Sequence, residues 1–171
     1  GGGFLFVDAV QHQYAGVMEL EISNYLAVKA FGLIATRLPD GSKGFSLLVM
    51  VTAENTSDEG SILELSMNWR LTGIGGLLAI HRTISEDALR AGLKNRTLES
   101  ILFPKDPVRN APTILAALNA VFPPNKGSYM LGFMVRLVWG VPKLLTIDLA
   151  LIVEWGARER IVLLGRISAI L

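Results

Sequence analysis

Few side chains in this 171-residue chain have the types and spacing that do chemistry. There is no cysteine, which removes disulfide staples, thiolate metal sites and cysteine nucleophiles together. His12 and His81 are the only imidazoles. A metal site needs three or four convergent ligands, and neither histidine has an acidic or imidazole neighbour three or four residues further on. Gly73-Ile74-Gly75-Gly76 is the one glycine cluster near a predicted helix. A phosphate-cradling loop needs a pattern such as GxxxxGK[ST] leading straight into that helix, but Leu77–Ile80 follows. We read the cluster as a bend where sheet meets helical layer. No serine stands in a G-x-S-x-G elbow. No catalytic, cofactor-binding or metal-binding residue is expected, and the chain is read as not an enzyme.

Asp148 is the carboxylate that calls for an explanation. It lies within the otherwise apolar run Leu144–Val153, where an ionised group is costly to bury unless paired. A hairpin turn centred near Val141 places Arg136 opposite it. An Arg136–Asp148 pair would pin the strand register. A hydrolase built on Asp148 and His81 would instead need those two within hydrogen-bond reach. Glu154 and Arg158 are expected as a solvated pair at the sheet end.

The elements that hold these residues are mostly strands. Met18, Leu20 and Ile22 alternate with Glu19, Glu21 and Ser23 as a half-buried strand, and Asn24 marks a break or bulge. Pro39-Asp40-Gly41-Ser42-Lys43-Gly44 is a strong turn signal that makes Tyr25–Arg37 and Phe45–Ala53 a hairpin. Leu63, Leu65, Met67, Trp69 and Leu71 alternate with polar residues as one further strand. The period then becomes helical. Ser85 caps a helix over Glu86–Lys94 with Leu89 and Leu93 on one face, and Asn110 caps a second over Ala111–Phe122. Three strands return at Ser128–Trp139, Lys143–Trp155 and Glu159–Ala169. The predicted class is α+β: an antiparallel sheet of about six to seven strands in meanders and hairpins, with two central helices packed on one face.

Several strands are apolar on both faces. On Ser128–Trp139 one face shows Tyr129, Leu131, Phe133, Val135, Leu137 and Trp139, a continuous oily stripe that we take as the interaction face. A sheet that is oily on both sides must be covered on both sides, and two helices cover one. The last strand, Ile161–Ala169, has no proline, so it is an open edge. The expected function is a non-enzymatic structural or assembly module, packing through this face and its edges against adjacent domains of a longer chain or copies of itself. The alternative is a carrier or sheath for lipid or another hydrophobic ligand. No cofactor is expected.

Composition narrows the setting. The chain is 51% hydrophobic and 18% charged, with 16 basic and 15 acidic residues, and no basic run with interleaved aromatics points to nucleic acid. No apolar run reaches the roughly 20 residues of a membrane-spanning helix, and no signal peptide is visible. The compartment is not readable; the lack of cysteine is compatible with the cytoplasm. Residues 1–171 are read as a single domain excised from a longer chain.

Three segments carry a resemblance: TRLPDGSKGFSLLVMVTAE (Thr36–Glu54), LTGIGGLLAIHRTISEDALRAGL (Leu71–Leu93) and LFPKDPVRNAPTILAALNAVFPP (Leu102–Pro124). Over Ala27–Leu171 the chain resembles a domain family of unknown function found within very large, β-rich bacterial and fungal proteins. The resemblance brings no activity and no catalytic residues. It implies a domain that sits inside a longer protein.

Overall fold

The computed structural model describes residues 1–95 and 97–170, with the side chains at 93–95 outside that description. The side chain of Leu93, expected on the first helix's apolar face, and Leu171, at the expected open edge, lie outside that description. The chain runs β1 (Gly2–Asp8), β2 (Gln13–Ile22), β3 (Leu26–Arg37), β4 (Lys43–Asn55), β5 (Leu63–Glu64), β6 (Trp69–Arg82), α1 (Glu86–Asn95), a 3-10 turn (Thr97–Ser100), α2 (Ala111–Val121), β7 (Pro124–Trp139), β8 (Leu145–Gly156) and β9 (Arg160–Ala169).

The expected α+β layer of two helices on a smaller sheet is overturned. The chain is mostly antiparallel sheet: among the described residues there are nine strands, in the order β1-β2-β3-β4-β6-β7-β8-β9 with β5 paired to β6. β1 escaped the sequence reading because its glycines and apolar residues give no alternation. The predicted strand through Leu63–Leu71 is a hairpin. Leu63 pairs with Leu71 around Met67-Asn68, whose φ values of 59° and 64° form a tight primed turn. Its alternation continues in phase across that turn, which hides the reversal. The Gly73–Gly76 cluster is not a bend either. It lies within β6, beside a register shift between Leu71 and Gly73.

Helical cover is also thinner than expected. On α1, Leu89 is only half-buried, whereas α2 buries Ile114, Leu115, Leu118 and Val121. Ile101, Leu102 and Phe103, in the irregular chain after the 3-10 turn, are buried in the same core. Those side chains meet Phe31, Leu48, Met50, Ala79, Met130 and Ile152 from one face of the sheet. Ser85 Oγ accepts from Ala88 N at 3.2 Å, a cap for α1. Asn110 makes no side-chain cap at α2; its Nδ2 donates to the Lys105 carbonyl.

Candidate functional site

The two faces of the sheet differ in kind. The register aligns Leu5, Gly16, Gly32, Val49, Leu78, Leu131, Val153 and Ile161 in one row across eight strands. The next row holds Met18, Ala30, Val51, Gly76, Phe133, Leu151 and Leu163. Neither row carries a charge. The predicted stripe belongs to this open face: Leu131, Phe133 and Trp139 are exposed and Tyr129, Val135 and Leu137 are half-buried. Phe133 leaves 57% of its surface free. Aromatic contacts stiffen the two ends of the face. Tyr129 stacks on Trp155 with ring centroids 6.1 Å apart, and Trp139 lies 6.5 Å from Trp69 while its Nε1 donates to the Met67 carbonyl.

Met18, Leu20 and Ile22 form the apolar side of the predicted half-buried strand. They sit on the open face, and Glu19 and Glu21 share the other side with Lys29, Glu54 and Arg136 around a polar cleft. Period-two patterning separates two faces, but it does not say which one meets the core.

The core side holds the ion network. Glu54, Gly73, Arg136, Asp148 and Arg166 are successive partners across β4, β6, β7, β8 and β9. Arg136 Nε donates to Asp148 Oδ1 at 2.6 Å and its Nη2 to Oδ2 at 2.9 Å, a two-pronged grip. Arg166 Nη2 reaches the same Oδ2 at 2.8 Å, and Asp148 is only 1% exposed. Arg136 Nη1 crosses over Gly73 to Glu54 Oε2 at 3.1 Å, and Lys29 Nζ stands 3.6 Å from Glu54 Oε1. Gly73 leaves the space for that crossing: a Cβ there would stand 2.7 Å from the Phe103 ring and 3.1 Å from Arg136 Cβ. Phe103 closes the row from above, its ring centroid 4.9 Å from the Arg136 guanidinium carbon. Burial alone would lower the Arg136 pKa. Its hydrogen bonds and charge attraction to Asp148, with Glu54 behind, outweigh burial and hold the pKa above its ordinary value.

The remaining singled-out residues lie apart from this row. His81 Nδ1 accepts from Gly127 N at 2.8 Å, and its ring packs 5.4 Å from Tyr129. Tyr129 and Arg136 are seven positions apart on β7, roughly 23 Å at strand rise. His81 and Asp148 are therefore not brought together. Glu154 is buried rather than solvated: Arg160 Nε grips it at 2.7 Å, and Arg158 is not its partner. Among the described residues no three metal-ligating side chains converge, and no helix is long and apolar enough to cross a membrane.

The description "Family of unknown function (DUF6603)" matches residues 1–171. The chain belongs to this family. No curated protein and no solved structure matches it. Sequence reasoning about this DUF6603 chain missed Glu54, Arg166 and Arg160 as network members. The signal was present for Arg166, which the β8–β9 register sets opposite Asp148. Glu54 gave none, since it reaches Arg136 only across the intervening strand.

Proposed function

We propose that this DUF6603 chain is a non-enzymatic structural module that packs its open sheet face and free edges against another β-sheet. In this reading it belongs within a large multidomain protein, and a neighbouring sheet or a second copy covers the face. One observation carries the reading: rows of uncharged residues, apolar side chains interspersed with glycine, that cross the sheet from edge to edge. At sheet spacing such a face measures about 34 Å across and 27 Å along, about 900 Å². A typical monomer's largest exposed apolar patch is about 300–600 Å², and a standard interface buries about 800 Å² per partner. The two rows carry none of the polar side chains with which a small-molecule site orients a ligand. The β9 edge adds Ile161, Leu163 and Ile167, each largely exposed, on a strand without proline.

Light scattering on the isolated chain tests this. Discrete multimers are expected, returning to monomer when Phe133→Lys and Leu163→Glu place charges on the face. A wild-type chain that stays monomeric across the concentration range overturns the proposal. Co-purifying lipid in native mass spectrometry, in place of multimers, would assign the face to a carrier instead.

A further inference from the structure

The core side holds a second opening. Between α2 and the ends of β1, β2 and β3 lies a cleft of about 480 Å³, within the range typical of ligand sites. Phe4, Phe6, Ala15 and Leu33 line it from the sheet. From α2 come Pro112, Leu115, Ala116 and Asn119, whose spacing puts them on one helix face. Arg82, only 2% exposed, also lines it. Its Nη1 donates to Asn119 Oδ1 and to the Phe122 carbonyl, both at 2.9 Å. Its Nε has no hydrogen-bond partner, and no carboxylate among the described residues pairs with it. Arg136, Arg160 and Arg166 each grip a carboxylate. Burial without a counter-charge pushes the Arg82 pKa down to about 10.

A desolvated guanidinium without a counter-charge is costly where it stands, and an anion delivered through the cleft that Arg82 lines would reduce that cost. The apolar walls specify what else the anion carries. We propose that the cleft binds a fatty carboxylate, its chain between α2 and Phe4–Phe6 and its headgroup on Arg82. The proposal rests on the cleft under α2 and does not depend on what covers the open face.

Isothermal titration of the whole chain with laurate, lauryl alcohol and acetate tests it. Saturable one-to-one binding of laurate is expected, with the alcohol and acetate each much weaker. Arg82→Gln should weaken laurate by about 10- to 100-fold, the scale of a lost charge-assisted contact. Ala116 is exposed at the cleft, so Ala116→Trp blocks the cavity without touching the core and should abolish binding in a folded protein. That variant decides the matter if Arg82→Gln does not fold. Laurate binding that survives Ala116→Trp, or lauryl alcohol binding as tightly as laurate, overturns the proposal. So does binding lost in Phe133→Lys but kept in Ala116→Trp, which would move the ligand to the open face.

Discussion

Replacing Asp148 by Asn keeps the shape of the side chain and removes its charge. Asp148 accepts three hydrogen bonds from two arginines at 2.6, 2.9 and 2.8 Å, so the variant leaves Arg136 and Arg166 facing a neutral amide. Of the nearby carboxylates only Glu54 then remains, shared with Lys29. Breaking a buried pair costs about 3–5 kcal/mol when the partner charge is stranded. The Arg136 and Arg166 side chains keep 15% and 22% of their surface, which lets water reach them and favours the lower end. We therefore expect a loss of about 3 kcal/mol, or about 6–12 °C in Tm for a domain of this size. Urea unfolding followed by tryptophan fluorescence measures it, read as a midpoint shift at unchanged slope. The double variant Arg136→Met, Asp148→Leu should lose less than Asp148→Asn alone, because it strands less charge. An Asp148→Asn chain within about 0.5 kcal/mol of wild type would refute the network as a structural pin.

Two further outcomes follow from the geometry. Gly73→Ala drives a methyl group against Phe103 and under the Arg136 crossing, and should cost about 1–3 kcal/mol by urea unfolding. Asp40 accepts from the Ser42 hydroxyl at 2.6 Å and from its backbone N–H at 2.9 Å, which holds its pKa below 3.8. A carboxylate depressed on folding stabilises above its unfolded value and loses that contribution as pH falls through the folded one. Carboxyl carbon NMR should show a midpoint below 3.8 for Asp40, moved back up by Ser42→Ala.

Legibility in the sequence followed how locally each feature is encoded. The hairpin of β3 and β4 announced itself because Pro39, Asp40 and Gly41 dictate a turn whatever surrounds them. Arg136 opposite Asp148 was readable from a short connection that fixes register. The reversal at Met67-Asn68 was not, since both residues adopt positive φ without the glycine that normally signals it. The orientation of Met18, Leu20 and Ile22 depends on where the core lies, and no strand states that alone. Arg82 is the clearest case of hidden information. As a sequence it is one arginine after a histidine, and only the fold shows it buried without a counter-charge.

The order of the strands has a mechanical consequence. β1 and β9 form opposite edges, and nearly every strand lies beside its neighbour in sequence. Tension applied through the two edges would load one ladder at a time, peeling strands off rather than shearing several together. Resistance to peeling is uneven. The row from Glu54 to Arg166 ties β4, β7, β8 and β9 side chain to side chain, and Lys29 extends it to β3. No salt bridge among the described residues reaches β1 or β2. Pulling on the two edges in force spectroscopy is therefore expected to detach β1 and β2 before the clamped half.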